Sequence, residues 1–388
     1  MATLEATWDS CRLYVASATD KLPGVARNLT ETPGTQMPTK IGISPDRKAA
    51  KIDRRVSVAP MMDWTDRHCR YFLRGFSPDV LLYTEMITAP AILRGDRARL
   101  LAFDPQEHPL ALQLGGSEPL ELAAAARVGE EAGYDEINLN CGCPSERVAS
   151  GAFGACLMQE PTRVAECVAA IRAAVRLPVT VKMRIGVLNA GAREAHRAVA
   201  HFADTDFESL CHFVGSVRDA GCEVAIVHAR QAVLGGLSPQ DNREVPPLRY
   251  EVVRRVKRVF PLLPIVVNGG LREPQTVLEA LGWCDGVMLG REAYHRPFVL
   301  AQLQQALHPA GGALPSREAL LERMRAYAAR ELAAGTRLAP IVRHMLGLYA
   351  GEPGAREFRR NLSEGARAAG AGAELLQRVI PVGARLPA

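Results

Sequence analysis

The sequence has none of the patterns of a membrane or secreted protein. No apolar run among its 388 residues reaches the roughly 18 residues that a spanning helix needs. The N-terminal segment has no basic patch followed by an apolar run, so no secretory signal is expected. The nine cysteines are odd in number and irregularly spaced, which predicts reduced thiols rather than a disulfide framework. These absences predict a cytoplasmic protein that does not bind a membrane.

Two common ligand-binding patterns are also missing. No CxxC pair of the kind found in zinc sites occurs, and the spacing of Cys141 and Cys143 is more simply a coincidence than a metal pair. No GxGxxG follows a predicted strand, so the sequence does not support a Rossmann dinucleotide site. We therefore expect no bound metal.

Lysine is absent from the last fifth of the chain. Residues 312–388 contain 12 arginines and no lysine against 7 glutamates, which accounts for the net charge of +5 of the whole sequence. Arginine is the side chain best suited to forked contacts with phosphate. This pattern favours a nucleic-acid partner, although an arginine-rich helical surface without a ligand is the alternative.

A repeating pattern of strand, loop and helix occupies residues 54–310, after a segment (1–53) whose composition predicts disorder. Eight such units are the size of a closed (β/α)8 TIM barrel, with an open doubly wound sheet as the alternative. The predicted strands are Val56–Ala59, Val80–Thr84, Leu110–Leu114, Glu136–Asn140, Val179–Met183, Glu223–Val227, Ile265–Asn268 and Gly286–Leu289.

The pattern changes to helix alone after Pro309. Ser316–Ala334 has one apolar face and is followed by Gly335, a suitable helix stop. Further helices are expected at Ile341–Tyr349 and Arg356–Ala368. Residues 311–388 are therefore predicted to form an all-helical domain behind the barrel.

One cysteine lies where it could do chemistry. Cys143-Pro144-Ser145 follows the fourth predicted strand on a loop broken by glycine and proline. A thiol on such a loop can act as an acid or a nucleophile, whereas a thiol inside the core cannot.

The carboxyl ends of the strands meet at one mouth of a barrel, and the residues predicted there could together line one ligand pocket. Glycines after the last two strands, followed by Arg291, predict a phosphate cradle. Lys182 lies in an apolar strand and needs an anion, either a bound cofactor or a structural carboxylate. The set predicts a pocket for a flat ring with a phosphate tail, which is FMN. Its members are Pro60, Met61, Met62, Gln113, Lys182, His228, Asn268, Gly269, Gly270, Gly290 and Arg291.

The longer motifs resemble those of tRNA-dihydrouridine synthases over residues 55–380. A tryptophan loop and an SPxxNRxxPPL segment point to the A subfamily. The matching segments are Ala59–Arg74, Leu112–Pro119, Tyr134–Val148, Ile226–Arg230, Gly236–Leu248, Asn268–Gly270 and Asp285–Tyr294.

The resemblance implies an FMN enzyme that reduces the C5=C6 bond of D-loop uridines 20 and 20a in tRNA, with NADPH as the electron donor. Hydride from reduced FMN would reach C6, and Cys143 would give a proton to C5. The implied FMN ligands are Pro60, Met61, Met62, Gln113, Lys182, His228, Asn268, Gly269, Gly270, Gly290 and Arg291. The implied tRNA-facing residues are Asn140, Gln240, Arg243, Arg356 and Arg359. Residues 311–388 would bind the tRNA elbow, and a monomer is expected.

Two residues depart from the pattern that the resemblance implies. Gln240 stands where a lysine is expected, and Cys141 is an unusual neighbour for Cys143. Two rival interpretations remain open. One is a small-molecule FMN oxidoreductase of the dihydroorotate-dehydrogenase kind, which would not need the arginine-rich helices. The other is a non-catalytic RNA-binding barrel, which would bind no flavin.

Overall fold

The computed structural model describes residues 52–145 and 153–381. The disorder predicted for residues 1–53 therefore falls almost wholly outside the described residues. Ten strands are described: β1 Val56–Val58, β2 Leu82–Thr88, β3 Leu110–Gly115, β4 Glu136–Cys141, β5 Val179–Arg184, β6 Val187–Asn189, β7 Val224–His228, β8 Ala232–Leu234, β9 Ile265–Asn268 and β10 Gly286–Leu289. Within these ranges no helix is both long and apolar enough to cross a membrane.

Eight of the strands form one parallel sheet in the order β1-β10-β9-β7-β5-β4-β3-β2. The sheet closes on itself, because Ser57 of β1 bridges in parallel to Leu81, the residue before β2. The amide of Val58 donates to the Leu81 carbonyl at 2.9 Å. The predicted TIM barrel is thus confirmed. An open doubly wound sheet would leave its outer strands unpaired at the edges, so that alternative is wrong.

Helices between the strands cover the outside of the barrel. They are α1 Arg67–Arg74, α2 Ala89–Arg94, α3 Arg97–Leu100, α4 Pro119–Ala132, α5 Pro161–Ala174, α6 Ala192–Ala198, α7 Asp204–Asp219, α8 Tyr250–Val259, α9 Pro274–Leu281, α10 Arg291–His295 and α11 Phe298–Leu307. Pro119, Pro161 and Pro274 each occupy a first turn, where the missing N–H costs nothing.

The inner wall of the barrel has an apolar half and a polar half. The apolar cluster inside the barrel consists of Ala59, Leu81, Tyr83, Ala111, Val224, Ile226, Val266 and Met288. The inner face of β4 instead carries buried Glu136, Asn138 and Asn140. Because successive side chains of a strand alternate between faces, the intervening Ile137 and Leu139 pack under the helices.

A second, two-stranded parallel sheet pairs β6 with β8, and the sequence pattern did not predict it. Both strands have only three residues, which is too short for a periodicity to be recognised. Val233 of β8 packs against Ala195 and Val199 of the α6 segment. Since β6 and β8 follow the carboxyl ends of β5 and β7, this small sheet forms part of the rim of the mouth.

The described residues after Pro309 are helical, as predicted, with α12 Arg317–Ala333, α13 Leu338–Val342, α14 Ala355–Gly365 and α15 Leu375–Arg378. Ser316 begins α12, and its hydroxyl accepts from the Ala319 amide at 3.1 Å. The predicted helix Ile341–Tyr349 was wrong in extent, because α13 ends at Val342 and a 3-10 turn Arg343–Met345 follows. There the chain lies against the barrel, and a Cβ on Gly347 would approach the His295 carbonyl oxygen to 2.4 Å.

The helical segment packs directly on α1 of the barrel. Arg67 makes a two-pronged ion pair with Glu331, at 2.9 and 2.5 Å. The ring of Tyr327 stacks on Tyr71 at 4.0 Å between centroids, and its hydroxyl lies 2.7 Å from His68 Nδ1. Contacts of this kind make the described part from Ile52 onward one compact unit. A separate functional role for residues 311–388 stays a prediction.

Candidate active site at the barrel mouth

The Cys143 loop begins where β4 reaches the mouth. Asn140 Oδ1 accepts from the amides of Gly142 and Cys143, at 2.9 and 3.1 Å, and this turn directs the chain across the mouth. The Cys143 thiol is partly exposed and lies 3.5 Å from the Ser145 hydroxyl. Cys141 is fully buried, and burial raises its pKa well above the ordinary value. Of these two thiols, only Cys143 is accessible from the mouth.

Arg184 is a buried residue of the mouth that the sequence analysis missed. Its side chain is 4% exposed, and its Nε donates to the Gly142 carbonyl at 3.0 Å. One terminal nitrogen donates to the carbonyls of Gln231 and Asn242, at 3.2 and 2.8 Å. Arg184 therefore ties the Cys143 loop to the rim segments after β7. Its position two residues after Lys182, on the same face of β5, was the available signal.

Two basic side chains at the mouth, Lys182 and His228, have no anionic partner in the described part of the structure. No residue within the described ranges forms a hydrogen bond or ion pair with the Lys182 ammonium. Burial lowers the pKa of Lys182 to about 8, and the Arg184 charge adds to the shift. Burial likewise lowers the pKa of His228 well below its ordinary value, with Arg184 and Lys182 contributing. His228 Nδ1 is buried and has no hydrogen-bond partner in the described part of the chain. Such an arrangement fits an anionic ligand that satisfies these groups.

The predicted phosphate cradle has the close backbone approach that glycine allows. Gly269 and Gly270 have φ values of +109° and +70°. A Cβ on Gly270 would lie 2.2 Å from a Leu248 methyl, and one on Gly269 would lie 3.1 Å from His228 Nε2. Arg291 is already paired with Glu244 at 2.7 Å. Its charge is therefore shared with that carboxylate, and the cradle depends more on the glycine backbone than the sequence indicated.

We expect Gly270→Ala to destabilise the protein more than an alanine at another left-handed glycine. Gly335 has φ +89° and nothing within 4 Å of an added Cβ, so Gly335→Ala should cost about 1 kcal/mol from backbone strain alone. Gly270→Ala adds the collision with Leu248 and should cost about 3 kcal/mol. Urea unfolding of both variants measures the difference. Equal costs would mean that Leu248 moves aside freely.

The remaining predicted cofactor residues also lie at the mouth. Asn268 Nδ2 donates to the Met288 carbonyl at 2.7 Å, which joins the ends of β9 and β10. Gly290 follows β10, and an added Cβ there would lie 3.8 Å from the Met61 sulfur. Pro60 precedes Met61 directly after β1, and Met62 is 56% exposed. The structure thus brings the ends of the first, seventh and eighth barrel strands together.

The tryptophan loop after Met62 is attached to the C-terminal helices, which the sequence analysis did not foresee. Trp64 stacks on Tyr294 at 4.4 Å between centroids, and the Tyr294 hydroxyl lies 3.1 Å from His344 Nδ1. The other ring nitrogen of His344 lies 2.9 Å from the Asp66 carboxylate. Hydrogen bonds to His344 and to the Cys69 amide hold the pKa of Asp66 well below its usual range, although burial opposes them. No local pattern links residues so far apart in sequence.

The predicted tRNA-facing residues occupy different environments. Asn140 is 8% exposed, and its amide is committed to Gln113 and to the Cys143 loop. Gln240 and Arg243 are exposed on the rim. Arg356 and Arg359 are exposed on α14. As far as the structure describes the chain, no acidic side chain pairs with these last two arginines.

Comparisons with known proteins identify the family of this chain. The family model described as Dihydrouridine synthase (Dus) matches residues 57–381. A protein of Xanthomonas axonopodis pv. citri is 53% identical over 337 residues, 87% of this chain and 96% of the relative. A relative from Pseudomonas aeruginosa is 54% identical over 82% of this chain and 92% of its own length. A relative from Synechocystis sp. is 51% identical over 84% of this chain and 93% of its own length. All three are named tRNA-dihydrouridine(20/20a) synthase. The chain therefore belongs to the dihydrouridine synthase family.

Proposed function

We propose that this protein reduces the C5=C6 bond of uridines in tRNA to give 5,6-dihydrouridine, with FMN at the mouth of the barrel and NADPH as the reductant. The names of its relatives support positions 20 and 20a of the D-loop as the targets. One structural observation carries the proposal. The partly exposed Cys143 thiol lies at a mouth where the Lys182 ammonium has no acidic partner in the described part of the structure.

The residues of the mouth suit a flavin with a phosphate tail. The backbone of Gly269 and Gly270 can approach a phosphate closely because neither residue has a side chain. Lys182 and His228 can stabilise negative charge on the ring edge that faces them. His228 Nδ1 is available for a hydrogen bond to the flavin, because no described residue bonds to it. When bound, the flavin supplies the hydride that C6 of the uracil accepts.

Cys143 is the proposed proton donor for C5. Thiols of ordinary acidity are mostly protonated near neutral pH, so a cysteine can serve as a general acid there. Two sets of contacts hold its loop. The amides of Gly142 and Cys143 donate to Asn140 Oδ1, and Arg184 Nε donates to the Gly142 carbonyl. A loop held in this way keeps the thiol at one position over the mouth, which is the geometric requirement for proton transfer.

The substrate base must leave the tRNA stack to reach this pocket, at a cost of a few kcal/mol. Contacts between exposed arginines and the tRNA phosphates can offset that cost. We assign this role to Arg243 on the rim and to Arg356 and Arg359 on α14, with Gln240 as a weaker neighbour. Residues 311–388 would therefore form the tRNA-binding part of the protein.

Arg356→Gln combined with Arg359→Gln should weaken tRNA binding and flatten its salt dependence. Each lost phosphate contact should lower the slope of log K against log salt concentration by about 1. The matched control is Arg127→Gln with Arg258→Gln, which removes two exposed arginines from outer-wall helices α4 and α8. Filter binding between 50 and 200 mM salt, roughly the informative range, measures both slopes. Equal slopes in the two double variants would put α14 outside the interface.

Mass spectrometry of tRNA from a deletion strain tests the function itself. We expect dihydrouridine at positions 20 and 20a to be lost and to return when the gene is restored. Normal tRNA in the deletion strain would overturn the proposal. Reduction of free uridine or orotate by the purified protein at the rate found with tRNA would favour the small-molecule oxidoreductase instead. A protein that cannot be loaded with FMN would favour the non-catalytic barrel.

A further inference from the structure

A continuous chain of side-chain hydrogen bonds runs inside the barrel from Glu136 to the Cys143 loop. The Thr180 hydroxyl donates to Glu136 Oε1 at 2.5 Å, and Asn138 Nδ2 donates to Thr180 Oγ1 at 2.8 Å. Gln113 Nε2 donates to Asn138 Oδ1 at 2.7 Å. Asn140 Nδ2 donates to Gln113 Oε1 at 2.9 Å. We call these five residues the amide relay.

The amide relay is buried along its whole length. Glu136, Asn138 and Thr180 have no exposed surface, and Asn140, the most accessible member, is 8% exposed. The strand register puts Gln113 opposite Asn138 and Asn138 opposite Thr180. The barrel backbone itself therefore brings these side chains together on its inner face, where an unmade hydrogen bond is costly.

At the Glu136 end of the relay, the hydrogen bonds can be donated in only one direction. The Glu136 carboxylate is paired with Arg54 and also accepts from the Tyr83 hydroxyl. A carboxylate only accepts, so Thr180 must spend its single hydroxyl hydrogen on Glu136. Thr180 can then only accept from its next neighbour in the relay.

The donor direction at Thr180 fixes the orientation of the two amide side chains in the middle of the relay. Asn138 must turn its NH2 group towards Thr180, which leaves its oxygen facing Gln113. Gln113 must then donate to Asn138, and its own oxygen faces Asn140. Each amide has one donor end and one acceptor end, so every orientation follows from the one before it.

The hydrogen bonds at the Asn140 end of the relay require the same donor direction, independently of Glu136. Asn140 Oδ1 faces the amides of Gly142 and Cys143, at 2.9 and 3.1 Å, and backbone N–H groups only donate. A flipped amide anywhere in the relay would put two donors or two acceptors face to face in a buried site. The two ends are consistent with a single arrangement.

We propose that Glu136 and Thr180 are positioning residues for the Cys143 loop. Through the amide relay they fix the orientation of the Asn140 side chain, which in turn sets the conformation of the loop that carries the thiol. The catalytic meaning of this inference rests on the proposed function.

Thr180→Val tests the relay, because the replacement has nearly the same shape and removes the hydroxyl link. Thr180→Ser keeps the hydroxyl and should behave as the wild type. Val224→Ala removes packing from the apolar inner cluster at the position opposite Thr180 on β7, and it leaves every hydrogen-bonding group of the relay in place. Thr180→Ala deletes the hydroxyl at a different packing cost, and it replaces Thr180→Val if that variant does not fold.

The first readout is the rate of Cys143 alkylation by iodoacetamide, followed by peptide mass spectrometry on the flavin-loaded protein. We expect a rise of about threefold or more in Thr180→Val and Thr180→Ala, because the loop loses its fixed hydrogen-bond partner. Thr180→Ser and Val224→Ala should keep the wild-type rate. Equal rates in all variants would overturn the relay, and so would an equal rise in Val224→Ala.

The second readout is turnover on tRNA. We expect kcat of Thr180→Val to fall by about tenfold, because a displaced acid transfers its proton poorly. The KM for tRNA and the flavin content should stay unchanged, and Thr180→Ser should restore kcat. A wild-type kcat in Thr180→Val would also overturn the relay. A wild type that forms no dihydrouridine would refute the proposed function, while the alkylation comparison would still test the relay.

Discussion

Cys143→Ala should abolish dihydrouridine formation while the protein keeps its flavin. Removal of a general acid typically costs 10²–10⁴ in rate. The other partly exposed thiol between β4 and α5, Cys156, donates to the Phe153 carbonyl at 3.1 Å, and burial raises its pKa. The glycine cradle and Lys182 are not touched by the substitution, so the flavin absorbance should match that of the wild type. Single-turnover reduction of tRNA by the prereduced protein measures the effect directly, because it separates this step from reduction by NADPH.

Two further variants make the result specific to this sulfur. Cys143→Ser keeps a hydroxyl that is much less acidic than a thiol, and it should recover little of the activity. Cys141→Ala removes the buried thiol two residues earlier, so it should keep the wild-type rate. Wild-type turnover by Cys143→Ala would remove this residue from the mechanism. A loss in Cys141→Ala as large as that in Cys143→Ala would indicate that the loop, not the acid, had been damaged.

Lys182→Met should slow flavin reduction by about a hundredfold, the typical cost of removing one donor that stabilises developing negative charge. Methionine keeps the length of the side chain and fits the partly buried position on β5, so the barrel should fold. Stopped-flow absorbance of the flavin during mixing with NADPH measures the rate. Lys257→Met is the matched control, because it removes the same charge from an ion pair with Asp285 on the outer wall. Normal reduction in Lys182→Met would refute the role.

The affinity for flavin should also depend on pH through the protonation of Lys182. Without an anion, the pKa of Lys182 is about 8, and a bound anion raises it, since it favours the ammonium form. Affinity for an anionic ligand should therefore be full below pH 8 and fall as the pH rises through 8. Titration of the apoprotein with FMN at pH 7 and pH 9 tests this, and the difference should shrink in Lys182→Met. An affinity that rises with pH in the wild type would contradict the sign.

The fold could be predicted because its signals are local. All eight barrel strands were predicted within about two residues at the amino ends, and Ile265–Asn268 and Gly286–Leu289 match their predicted bounds. Hydrophobic periodicity and glycine or proline at the turns act over a few residues, so a single sequence carries them. The three-residue strands β6 and β8 escaped because they are too short to have a period.

The candidate site could be predicted only in outline. Residues at the strand ends were predicted to converge, because parallel strands of a barrel share one mouth, and Lys182, His228 and the Cys143 loop do meet there. Arg184 was missed, since its carbonyl partners Gly142 and Asn242 are 42 and 58 residues away. The hydrogen bond of Asn140 to Gln113 was also missed, because a neighbour on β3 is not visible in a linear pattern.

By itself, the sequence determined the number of β/α units, the position of Cys143 on a loop and the concentration of arginine behind the barrel. Composition and periodicity along the chain are sufficient for each of these. Only the tertiary structure decided which buried polar groups pair with one another and which are left without a partner. Hydrogen-bond direction inside the barrel depends on side chains from three strands at once, and the register that aligns Gln113, Asn138 and Thr180 exists only after the sheet has formed.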